Sequence, residues 1–116
     1  MITFYCIECF NKYCDYIRYL AEDDQGIPYL TYEGLVGYPN NIKQFRLASS
    51  AKNYLKSTLS RESFNISELT ISQRIELIRI NNNNKYFVVR CHIDDAENFV
   101  VESKEVMSEF TRNWNV

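Results

Sequence analysis

Residues 4–21, FYCIECFNKYCDYIRYLA, decide the fold, because two kinds of regular structure compete for them. The stretch has no Gly or Pro. Ile7, Phe10, Cys14, Ile17 and Ala21 recur at spacings of three and four, with Cys6 and Tyr13 on the flank of that stripe. This is the period of a helix with one apolar face. The opening residues ITFYCI are β-branched and aromatic, which suits an extended strand. Together they predict a short strand feeding a helix that runs to about Leu20. EDDQGIP, residues 22–28, ends that helix, since Gly26 and Pro28 cannot continue it.

Working outward, YLTY and GLVGYPNN read as a short extended piece and an irregular loop punctuated by Gly34, Gly37 and Pro39. SSAKNYLKSTLS predicts a central helix. Ser49 or Ser50 would cap it, Ala51, Leu55 and Leu59 would make its apolar face, and Lys52 and Lys56 would project beside that face. LTISQRIELIRI, residues 69–80, has two readings. As a strand, Leu69, Ile71, Ile75 and Leu77 face inward. As a helix, Thr70 and Gln73 form a capping box and Ile71, Ile75 and Ile78 share a face. The adjoining asparagine run and the β-rich KYFVVRCHI favour the strand, paired across an asparagine turn with residues 85–93. A turn at DDAEN leads to a third strand at FVVES. Ser103 would then cap a last helix carrying Val106, Phe110 and Trp114. The expected fold is a single α+β domain over residues 1–116. It has an antiparallel meander at about residues 69–103, packed with an N-terminal, a central and a C-terminal helix.

Three of the four cysteines fall within nine residues, and Cys6-x-x-Cys9 has the spacing of a metal half-site. A tetrahedral site needs two more ligands, and the candidates are Cys14, Cys91 and the sole histidine, His92. Cys91 and His92 are adjacent, so on a strand they point to opposite faces. Glu8 between Cys6 and Cys9 works against the electropositive setting of a redox thiol. The cysteines are therefore expected to be core thiols, with no metal and no cofactor. Asp95 with Glu102-Ser103-Lys104 has the acid-x-lysine form that metal-dependent nucleases use to hold Mg²⁺ and steady a water. On a strand, Glu102 and Lys104 would share a face. Triplets of this kind arise often by chance. There is no phosphate-binding glycine loop in a chain with only three glycines. No enzymatic activity is expected.

The net charge of −2 is unevenly placed. Residues 1–34 and 94–116 each sum to −4, whereas residues 35–61 carry Lys43, Arg46, Lys52, Lys56 and Arg61 and no acid. With Tyr38, Phe45 and Tyr54 among its bases, that middle block has the makings of a nucleic-acid surface, but the acidic flanks oppose it. No secretory signal or membrane-spanning run is visible, which predicts a cytoplasmic protein with reduced thiols. The nine tyrosines suit a protein interface.

The function expected is a non-catalytic inhibitor, an immunity protein that neutralises a bacterial toxin by covering its active site. A phage-encoded inhibitor of a host defence nuclease complex is one alternative, and a small nucleic-acid-binding or metal-binding domain is another. The partner would be a basic protein, with no small-molecule substrate, no membrane and no nucleic acid. It would be met by Glu22, Asp23, Asp24, Tyr29, Tyr32 and Glu33, joined by Asp94, Asp95 and Glu97.

Overall fold

A computed structural model describes residues 2–11, 14–32, 42–58, 64–80 and 84–107. Five strands form one antiparallel sheet: β1 (Thr3–Asn11), β2 (Cys14–Glu22), β3 (Pro28–Tyr32), β4 (Asn84–Ile93) and β5 (Phe99–Val106), in the order β3-β2-β1-β4-β5. Among the described residues, two α-helices and a short 3-10 helix at Ile66–Glu68 accompany it. α1 (Ala48–Asn53) continues as a π-helical turn over Tyr54–Thr58, and α2 spans Ile71–Ile80. A sheet with two short helices replaces the expected three helices on a meander.

The N-terminal helix does not exist; residues 4–21 form most of β1 and β2. Along β1, Phe4 and Cys6 join one core cluster while Ile7 and Cys9 join another, on the opposite face. A strand buried on both faces shows no alternation of apolar and polar residues. Its apolar positions are dense enough to satisfy a helical template as well.

The second reversal is α2, expected as a strand. Thr70 and Gln73 form the reciprocal capping box: the Thr70 amide donates to Gln73 Oε1 at 2.9 Å, and the Gln73 amide donates to Thr70 Oγ1 at 3.2 Å. At the other end, Asn84 Nδ2 donates to the carbonyls of Arg79 and Ile80, and the Tyr86 hydroxyl donates to Ile80 as well. These bonds satisfy carbonyls that a helix terminus otherwise leaves orphaned. α2 buries Leu77 and Ile80. Asn84 therefore caps a helix, and residues 71–80 form no strand to pair with β4.

The central helix forms as expected and buries Ala51 and Leu55, but its cap position is Leu47, with no side-chain cap bond from Ser49 or Ser50. The strand expected at 85–93 is β4, and the third strand is β5, which extends through Val106. Ser103 lies inside β5, so it caps no helix; Phe110 and Trp114 lie outside the described residues, as do Glu33 to Pro39 and Leu59.

Both helices cover one face of the sheet, where Leu55, Leu77 and Ile80 meet Ile7, Leu20, Leu30 and Val88. The other face gathers Phe4, Cys6, Tyr19, Val89 and Cys91, with Phe99 edge-on to Tyr19. β1 and β2 pair from Glu8/Tyr19 to Asn11/Cys14. Beyond Glu8 the two strands bond instead to residues 42–45. Tyr5 exchanges both of its backbone hydrogen bonds with Phe45, and the Leu20 carbonyl accepts from Lys43.

Candidate functional site

β2 and β4 both run antiparallel to β1, so both leave the sheet at the end where β1 begins; Thr3 lies opposite His92 there. The two turns that follow, Asp23–Ile27 and Asp94–Asn98, thus share one end of the sheet. They stand roughly 15–20 Å apart, three to four strand spacings.

The two turns have the same construction. Asp23 Oδ1 accepts from the amides of Gln25 and Ile27, both at 2.9 Å, and Asp94 Oδ1 accepts from those of Ala96 and Asn98, also at 2.9 Å. In each, the fourth residue donates its amide to the first carbonyl at 3.0 Å. That fourth residue has positive φ: 77° at Gly26 and 63° at Glu97. This is a type I turn closed by a left-handed residue, one of the common short hairpin loops. The leading aspartate of each turn is its scaffold. Desolvation of Asp23 works against its charge, but the bonds from Gln73, Ile27 and Gln25 outweigh it and hold its pKa below the usual carboxylate range. The Asn98 amide, the Asn98 side chain and the Ala96 amide do the same for Asp94, with help from His92.

The nine residues expected to form one surface divide by role. Asp23 and Asp94 build the turns. Glu22 is half-buried and pairs with Lys43 at 3.2 Å. Asp24, Asp95 and Glu97 are exposed, and among the described residues no hydrogen bond or ion pair engages their side chains. Tyr29, half-buried on β3, borders a shallow concavity of about 480 Å³ with Glu22, Asp23 and Asp24. Tyr32 ends β3 opposite Arg18, and Glu33 lies outside the described residues.

Other residues at this end escaped the sequence reading. Gln73 of α2 donates to Asp23 Oδ2 at 3.0 Å and to Gln25 Oε1 at 2.9 Å, which ties the helix to the first turn. A cleft of about 210 Å³ runs between them, from Asp23 and Tyr29 over Pro28 to Gln73 and Glu76. Treating residues 69–80 as a strand hid this contact. Beside the second turn, His92 Nδ1 lies 3.1 Å from Glu102 Oε2, and Thr3 Oγ1 and Arg90 also reach the Glu102 carboxylate. The His92 bond, with Arg90 and Thr3, holds the Glu102 carboxyl below its ordinary pKa.

The acid-x-lysine pair separates. β5 shifts register at Arg90/Cys91, so Glu102 meets His92 and Arg90 on one face. Lys104 bonds Glu8 at 2.8 Å on the other face. The two do not converge on a metal.

Cys6 and Cys9 also part, for three steps along a strand lead to opposite faces. Each lies in a different core cluster, so the pair cannot serve one ion. Cys6 Sγ sits 3.8 Å from Cys91 Sγ, and Cys6, Cys9 and Cys91 are buried thiols outside any disulfide. The hydrogen bond with Cys91 and burial push the Cys6 thiol far above its ordinary pKa, which makes it inert as a nucleophile.

Among the described residues no helix is long and apolar enough to cross a membrane. Compared with known protein families, curated proteins and solved structures, the chain matches none of them.

Proposed function

We propose that this chain is a non-catalytic protein-binding inhibitor that meets a basic partner with the turn-bearing end of its sheet. The observation that carries the reading is the exposure of Asp24, Asp95 and Glu97 on two turns braced by Asp23 and Asp94. Bracing the turn backbone holds the roots of these side chains in place before contact, so little backbone freedom is lost on binding. The carboxylates also attract a basic surface at long range and speed encounter. Tyr29, beside the acidic concavity, supplies an aromatic contact of the kind that holds a complex once formed. Toxins that cleave nucleic acid present basic clefts, and the reading is therefore a cytoplasmic immunity protein that covers such a cleft.

The experiment isolates the protein that the purified chain captures from its own host and follows their association by stopped flow across a range of salt. Asp24→Lys, Asp95→Lys and Glu97→Lys together should slow association by about tenfold or more at low salt and flatten its salt dependence. Lys52→Glu with Lys56→Glu should leave it unchanged or faster. The opposite pattern would make the basic helix the contact surface and sink the reading.

A further inference from the structure

α2 turns Ile71, Ile75 and Ile78 to solvent, at 75%, 46% and 47% exposure, while Leu77 and Ile80 face the core. One exposed isoleucine is ordinary on a protein surface. Three in register on a ten-residue helix form a continuous ridge, and contiguous apolar patches mark contacts. The helix does not need the ridge for its own stability. Its core contacts come from Leu77 and Ile80, and both of its ends are capped.

The spacing of four then three is that of the seam positions in a coiled coil. In that frame Arg74 and Arg79 occupy the flanking positions on either side of the seam, where charge selects the partner. Arg74 gives its Nε to the Ile66 carbonyl, and Arg79 gives one Nη to Glu76 at 3.2 Å. A guanidinium has five N–H donors, so both retain capacity. A second copy of this chain is a poor occupant, because arginine would meet arginine whether the helices ran parallel or antiparallel.

We propose that α2 is a docking ridge for an amphipathic helix of another protein, one whose apolar seam is flanked by Glu or Asp. The ridge lies on the side of α2 opposite Gln73, which bonds the first acidic turn, and the proposal does not depend on the reading of that end. Two synthetic three-heptad peptides test it against the full chain by fluorescence anisotropy at low salt. Both carry a leucine seam; one has Glu at every flanking position and the other has Lys. The Glu peptide should bind about tenfold tighter or more. Ile75→Gln should weaken it by about tenfold or more. Arg74→Glu with Arg79→Glu should reverse the preference. All three sites are exposed, and circular dichroism checks that each variant folds. Equal binding of the two peptides, or none, would overturn the proposal. So would a dimer that Ile75→Gln dissociates, which would make a second copy the occupant. Capture by vesicles of mixed phosphatidylserine and phosphatidylcholine that Ile75→Gln abolishes would instead assign the ridge to a membrane surface.

Discussion

Glu97 occupies in the β4–β5 turn the left-handed position that Gly26 occupies in the β2–β3 turn. The two loops are otherwise bonded alike, so the pair isolates what a side chain costs in that conformation. A Cβ at Gly26 would meet nothing nearer than Glu22 Oε2 at 3.9 Å, so the cost there is conformational. Glu97→Gly should therefore stabilise the protein by about 0.5–1 kcal/mol, and Gly26→Ala should destabilise it by about 1 kcal/mol. Urea midpoints at neutral pH measure both, and a destabilising Glu97→Gly would mean that the Glu97 side chain makes a compensating contact.

Asp23 and Asp94 give a pH dependence with a definite sign. Their folded-state pKa values lie below the unfolded value of about 3.9. The stability they contribute is present at neutral pH, and it declines as the pH falls through about 4 toward the depressed values. Asparagine keeps the Oδ1 acceptor but carries no proton to titrate. Asp23→Asn with Asp94→Asn should fold at pH 7 and show a shallower loss of urea midpoint between pH 5 and pH 3 than the parent. Parallel profiles would mean that other carboxylates dominate the acid limb.

The ends of α2 should behave as independent clamps. Thr70→Ala removes half of the capping box and should cost about 1 kcal/mol. Gln73→Ala should cost more, because it also cuts the bonds to Asp23 and Gln25. Tyr86→Phe leaves Asn84 bonded to the Ile80 carbonyl and should cost about 1 kcal/mol. Hydrogen exchange of the α2 amides would separate local loosening from global destabilisation.

The Glu8–Lys104 pair is unequal in burial: the carboxylate is 3% exposed, whereas the ammonium reaches solvent. Removing only the base strands a charge in the second core cluster, so Lys104→Met should cost about 2–3 kcal/mol. Glu8→Met with Lys104→Met should recover most of that loss, since apolar replacements of a buried pair are often neutral. A double variant as unstable as the single one would show that Glu8 matters beyond this ion pair.

Sequence patterns reported the strands whose β-branched runs are bounded by a recognisable turn, and they failed where apolar residues on both faces mimic a helical stripe or where local chemistry decides. β4 and β5 were legible because VV and FVV runs flank a recognisable DDAEN turn. β1 was not, because Ile7 and Phe10, three apart and on opposite faces of the strand, fall into a helical stripe. For α2 the deciding signal was present in Thr70 and Gln73, and it lost to the asparagine run and the β-rich KYFVVRCHI, which together looked like a hairpin. The acidic turns were legible as turns. That they share one end of the sheet was not, since this follows from β2 and β4 both pairing with β1. The isoleucine ridge was legible as one helix face, but its outward direction depended on which side of α2 found the sheet.

β1 sits at the centre of the sheet yet is the first of the described strands, and its partner β4 begins 73 residues after β1 ends, counting from Asn11 to Asn84. On a ribosome adding about 5–20 residues per second, the β1 edge waits roughly 4–15 s for that partner. During the wait, Phe4, Cys6, Ile7 and Cys9 lie along an unpaired edge strand, which is a template for pairing with another chain. Folding in the test tube should likewise be slow, with the central pairing among the most distant contacts in the sequence. A nascent chain stalled before residue 84 should therefore aggregate or engage chaperones, and release should follow once β4 emerges and closes the middle of the sheet.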